Sequence, residues 1–294
     1  MSQATSLAAP ERRFGDLLPG IAAALLYSAA DILSKVVFND GMDVLSFITA
    51  RGVLTVAFFW LWLRRAPPQR AHTRRERVVA VIVGLIFSAN ISALLLAIQL
   101  LPVSIAILTY FMYPLLTGLV GAATGIDRVN WRGLVAAVVA FVGLALMLEA
   151  RVGDVSALGV ASALTAAVLR MLTLLITRAR LHGTDSRLNT WYSLVPAAVL
   201  FLLASLLTRN WNPPLTSFGW AAFVTWSIAS TISVLLIFVS IGRIGPFRTA
   251  LTMNLEPLVS TVGSVALLGE VLRPIQALGG AMMLAALCAF QIRR

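Results

Sequence analysis

The chain has 294 residues, is 59% apolar and carries only 12% charged residues, against about a quarter charged in an ordinary soluble domain. Its net charge is +11, with one cysteine and two histidines. That inventory excludes a disulfide-stapled scaffold, and because His72 and His182 both fall in loops it offers no metal cluster and implies no cofactor.

Ten apolar stretches are each long enough to cross a bilayer, which takes about 20 residues. In chain order they run near 17–38, 44–63, 78–98, 103–124, 131–148, 155–177, 190–207, 218–240, 246–268 and 274–291. They predict an all-α integral membrane protein whose loops are too short for a soluble domain. Arg12 and Arg13 precede the first stretch as they would in a secretory signal. A signal core is about 7–15 residues, so the longer stretch here reads as an uncleaved first helix. The single cysteine, Cys288, falls in the last span.

The cations outside the spans are unevenly shared. Alternate segments starting from the N-terminus hold 17 Lys and Arg, while the other set holds only Arg151, Arg209 and Arg273. By the positive-inside rule this predicts that both termini are cytoplasmic, in a bacterial inner membrane. The basic run RAHTRRER at 70–77 is the strongest part of that topology signal, and it is read so rather than as a nucleic-acid site. Trp60, Trp62, Trp131, Trp191, Trp211 and Trp220 lie near predicted span ends, as an aromatic belt does.

LTYFMYPL at 108–115 returns 143 residues later as LTMNLEPL at 251–258. A mid-span proline removes a backbone donor and kinks its helix, so Pro114 and Pro257 at one spacing are predicted hinges. Two units of five spans follow, residues 1–150 and 151–294. Five is odd, so the second unit must enter the membrane from the opposite side. Such inverted repeats are typical of secondary transporters that alternate access to a cavity at the repeat interface.

Ionisable and polar groups within apolar spans are expensive and normally face protein or a wet cavity. Asp31 and Lys35 stand i, i+4 on the first span, either as a self-neutralising pair or as substrate ligands. Matching LPG at 18–20 to ALG at 157–159 sets Asp31 opposite Arg170; the two suit the ammonium and carboxylate of an amino acid, or each other. Arg51 reads as a snorkelling or helix-bridging residue ahead of a substrate ligand. Glu256, directly before Pro257 and opposite Tyr113, is either a proton-sensing carboxylate or one held by Asn254 and loose backbone groups. Tyr27, Tyr110, Tyr113 and Trp226 are deep aromatics with polar edges, suited to a planar or cationic ligand or to packing. Asn90, Thr109 and Thr252 complete the substrate-binding candidates. Gly118, Gly121 and Gly125 form a small-residue face, read as close packing within a monomer.

The ten-span layout, the prolines of spans four and nine and the stretch GEVLRPIQALGG at 269–280 resemble the drug/metabolite transporter superfamily, with its doubled five-helix domain of EamA type. The first repeat departs from the pattern, with Ile126 and Asp127 where the second has Gly269 and Glu270. Within the superfamily the chain is similar to bacterial YddG-like exporters of aromatic amino acids. The resemblance implies that spans one to four and six to nine surround the cavity, with spans five and ten outside. The expected function is export of aromatic amino acids or similar small amphipathic metabolites, with planar organic cations as the alternative substrate class. No P-loop supports ATP drive, and no G-x-S-x-G elbow or in-span histidine supports a membrane-embedded enzyme.

Overall fold

A computed structural model describes the backbone of residues 14–127, 129–149, 156–268 and 273–291; the side chains of Phe14, Asp31, Ser264, Leu267, Leu268 and Gln291 lie outside the description. The helices are α1 (Leu18–Asn39), α2 (Val44–Arg65), α3 (Arg74–Leu100), α4 (Val103–Tyr110), α5 (Tyr113–Ala123), α6 (Trp131–Met147), α7 (Ala157–Leu181), α8 (Ser186–Thr208), α9 (Ser217–Ile244), α10 (Pro246–Thr252), α11 (Leu255–Leu268) and α12 (Pro274–Gln291). Seven spans are long and apolar enough to cross on their own, α4 and α5 counting as one; α6 and α12 are shorter apolar helices. With α10 and α11 as one interrupted crossing, the ten predicted spans are all present. The expected boundary at residues 150 and 151, and the Gly269–Glu270 pair, lie outside the described residues.

The first N–H groups of a helix have no intrahelical acceptor, so polar residues at the water faces fix where the spans begin. The Asp43 carboxylate accepts from the N–H groups of Leu45 and Ser46 at the start of α2. Thr73 and Glu76 form a reciprocal capping box on α3, and Asn130, Ser156, Asp185 and Thr216 cap α6, α7, α8 and α9.

Spans four and nine are broken helices. The chain leaves the helix after Tyr110 and after Thr252, and it resumes with Pro114 and Pro257 in the first turn of α5 and α11. A first-turn proline wastes no donor, since that N–H would be unpaired anyway. Pro196 lies inside α8 without ending it.

The packing is two-fold in pattern. Span three (α3) lies along span six (α7), and span eight (α9) lies along span one (α1), which is the same pairing with the halves exchanged. Span one against span nine (α11) is matched by span six against span four (α4, α5), while α2 packs on α8 and α6 on α12, each pair mapping onto itself. Gly143 and Gly279 show this reciprocity at atomic scale. A Cβ at Gly143 would lie 2.6 Å from the Gly279 carbonyl oxygen, and a Cβ at Gly279 would meet the Gly143 carbonyl. Two of the three glycines on the small-residue face of span four pack within the chain, a Cβ at Gly118 lying 2.7 Å from the Phe247 ring and one at Gly121 lying 3.3 Å from Leu175, while Gly125 faces open space.

Each membrane face carries a clip between two loops. On the arginine-poor face the Asp40 carboxylate accepts from the Thr216 N–H and hydroxyl, both at 2.9 Å. Asp43 there accepts from the side-chain amides of Asn212 and Asn210. On the arginine-rich face His72 Nε2 is 2.7 Å from Asn189 Oδ1, and Arg187 donates to the Ala66 carbonyl at 2.9 Å. Under exchange of the halves the first clip becomes the second.

Candidate functional site

A cavity of about 460 Å³ lies where the two halves meet, lined by Tyr27 of α1, Arg51 of α2, Asn90 of α3, Tyr110 and Tyr113 beside the first break, Arg170 of α7 and Glu256 beside the second. Its volume is within the usual range for small-molecule sites, about 300–1,000 Å³. The breaks are what carry Tyr113 and Glu256 inward, because each side chain enters at the first turn of a half-helix. Hydroxyls brace those turns. Thr117 donates to the Tyr113 carbonyl at 2.7 Å, Thr261 to the Pro257 carbonyl at 2.8 Å, and Ser28 of α1 to the Glu256 carbonyl at 2.9 Å.

Arg170 is the deepest cation, 8% exposed. Its guanidinium carbon lies 5.8 Å from the Tyr113 ring centroid, and it shares the cavity lining with Tyr27, Tyr110 and Glu256. Arg51 lies 5.3 Å from the Trp226 ring and lines the cavity beside Tyr27. Arg170 Nε and Arg51 Nη2 are both buried without a hydrogen-bond partner in the protein. The Tyr110 and Tyr113 rings stand 5.4 Å apart. Asn90 donates to the Ala166 carbonyl at 2.6 Å, tying α3 to α7. Phe87, Ile91, Leu94 and Ile107 supply an apolar wall.

The structure therefore brings together six of the candidates: Tyr27, Asn90, Tyr110, Tyr113, Arg170 and Glu256. Five others do not line the cavity. Lys35 is exposed, the Thr252 hydroxyl donates to the Arg248 carbonyl at 2.8 Å, and Asn254 is buried at the second break. Thr109 is half-buried in the last turn of α4. Trp226 lies 3.8 Å from the Phe47 ring, tilted against it, and packs against Arg51. The Asp31 side chain, and with it the proposed pairings to Lys35 and Arg170, lies outside the described residues. Arg51, which the sequence marks as a snorkelling or bridging residue ahead of a ligand, lies against Trp226 of α9 and also lines the cavity. The signal that pointed to it was its place within an apolar span; what hid it was that depth says nothing about which way a side chain faces.

The cavity runs from mid-membrane toward the arginine-poor face. Leu94 near the end of α3, Leu148 just past α6 and Thr261 of α11 lie on that side. Toward the arginine-rich face the path is filled by Val83, Leu194, Val234 and Phe238. Two guanidinia, one carboxylate and a tyrosine cluster can hold a small molecule with opposite charges and an aromatic body. Among the described residues no three His, Cys, Asp or Glu are grouped to hold a metal.

Residues 14–149 and 157–290 each match the model of the EamA-like transporter family. A crystal structure of a protein 20% identical to this chain aligns with a TM-score of 0.79, over 95% of this chain and 98% of its own. No protein of curated function matches the sequence.

Proposed function

The chain belongs to the EamA-like transporter family, and on that premise we propose that it exports aromatic amino acids, or small amphipathic metabolites like them, by alternating access. The coarser statement needs no proposal: this is a multi-pass membrane transporter of small molecules. The proposed setting is a bacterial inner membrane, with both termini cytoplasmic and the protein working as a monomer, in the manner of YddG-like exporters.

One observation carries the substrate reading. Arg170 and Glu256 line the same cavity as Tyr27, Tyr110 and Tyr113. A carboxylate on Arg170, an ammonium on Glu256 and a ring among the tyrosines satisfy a zwitterion with an aromatic side chain, using charge-assisted hydrogen bonds and ring contacts. Arg51 adds a second donor for the carboxylate. Glu256 with its surrounding rings also suits a planar organic cation, though two guanidinia in the cavity oppose it.

Reconstitution into liposomes with labelled tryptophan, phenylalanine, threonine and a planar dication separates the readings. The expected result is exchange of tryptophan and phenylalanine ahead of threonine, with no movement of the dication. Movement of the dication alone overturns the amino-acid reading. Repeating the assay with and without a pH gradient tests whether Glu256 couples transport to protons: rates unchanged by the gradient remove that role.

A further inference from the structure

A second groove, of about 630 Å³, lies on the outside of the bundle between α6, α12 and α10, at their arginine-rich ends. Its rim carries Arg132 and Arg248, and its wall is apolar, built from Val135 of α6 and Ala285 and Ala289 of α12. None of the described residues that line it is acidic. The Asp127 carboxylate, in the loop before α6, accepts from the Phe247 N–H at 3.0 Å, one residue before Arg248. Both cations are braced against rings: Arg248 lies 4.9 Å from the Phe290 centroid and Arg132 lies 5.8 Å from that of Trp131. Trp131 is 70% exposed, at a helix end where indoles sit among headgroups.

We propose that this groove binds one anionic phospholipid, its phosphate between Arg132 and Arg248 and an acyl chain along Val135, Ala285 and Ala289. The occupant follows from two-part complementarity. A basic rim at the interface selects an anion, and an apolar wall continuing into the membrane selects a chain attached to it. Basic pockets between spans on the positively charged side are where such headgroups settle. The alanines of α12 leave the width a chain needs.

The site reaches the transport machinery through one element. Arg248 belongs to α10, the first half of the broken ninth span, and its carbonyl accepts the Thr252 hydroxyl in the last residue before the break. Four residues on, the chain delivers Glu256 to the central cavity. A headgroup that holds Arg248 therefore steadies α10 while α11 moves, so lipid occupancy sets transport rate.

The test uses the full chain, purified and incubated with phosphatidylglycerol or phosphatidylcholine, with bound lipid read by native mass spectrometry. The wild type retains phosphatidylglycerol in preference, and R132Q/R248Q weakens retention by roughly tenfold or more. R132K/R248K keeps the charge and keeps the lipid, and R75Q, at an exposed cation elsewhere on the same face, is without effect. Transport in phosphatidylcholine vesicles rises on adding phosphatidylglycerol for the wild type and not for R132Q/R248Q. Equal retention of the two lipids, retention by R132Q/R248Q equal to wild type, loss in R132K/R248K as in R132Q/R248Q, or a second protein copy in place of lipid would each overturn the proposal.

Discussion

Two guanidinium nitrogens, Arg170 Nε and Arg51 Nη2, are buried without a protein partner in one cavity. A buried donor left unpaired costs about 1–3 kcal/mol; a substrate carboxylate that meets either guanidinium from the cavity makes a charge-assisted hydrogen bond with it. Removing such a charge-assisted bond forfeits about 1.5–3 kcal/mol, which corresponds to a rise in apparent KM of roughly 10–100-fold for Arg170→Ala and for Arg51→Ala. Lysine at either position rescues poorly, because an ammonium cannot reproduce the planar fork. Initial uptake rates at matched expression check this. An unchanged KM in Arg51→Ala would return that residue to the bridging role its contact with Trp226 also supports. Arg170 was legible in the sequence because a cation deep in an apolar span has few reasons to be there. Lys35 and Trp226 had the same credentials and do not line the cavity, since helix azimuth, which sequence depth leaves open, decides between cavity, lipid and neighbouring helix.

At the scale of helices and loops, hydropathy found every span but misplaced several starts. The third span begins at Arg74 rather than near 78, and the seventh at Ser186 rather than near 190. In both a polar cap extends the helix beyond the apolar run, which a hydropathy window cannot register. The prolines of spans four and nine foretold kinks, and the structure goes further by ending one helix and starting another. The clips between loops left no periodic signal, because their partners lie far apart in the chain. On the arginine-poor face the Thr216 N–H, foremost, holds the Asp40 carboxyl below its ordinary range. For Asp43, partial burial alone would raise the value, but hydrogen bonds from Ser46, Asn212 and Leu45 outweigh it and the net shift is downward. Carboxyls depressed in the folded state contribute stability that is complete above their unfolded value, about 3.9, and lost as pH falls through the lower folded value. Asp43→Ala should therefore cost about 1 kcal/mol at neutral pH, as lost N-caps do. Its deficit against the wild type should shrink below about pH 4. Thermal unfolding in detergent across that range measures it, and a deficit independent of pH would show that the charge at Asp43 does not matter.

For the whole molecule, the two-fold pattern turns the observed asymmetry into a mechanism. One path from the cavity is open and the other is filled, although the two halves have the same layout. The filled path contains Val83 and Val234, and at the 143-residue repeat spacing these correspond to Trp226 and Ile91. Ile91 now lines the cavity, and Trp226 packs against Arg51. Exchanging the conformations of the halves would separate Val83 from Val234 and bring Ile91 toward Trp226, closing the arginine-poor side as the other opens. Cysteine accessibility reads this directly once the exposed Cys288 is replaced by serine. A membrane-impermeant maleimide applied from the arginine-poor face should label Leu94→Cys and Thr261→Cys, which line the open path, and spare Val83→Cys and Phe238→Cys in the seal. Applied from the arginine-rich face it should label the seal positions only when substrate drives turnover, because only the exchanged state exposes them. Equal labelling of Val83→Cys and Thr261→Cys from the arginine-poor face would mean that the apolar cluster is no barrier, and would remove the two-state scheme built on it.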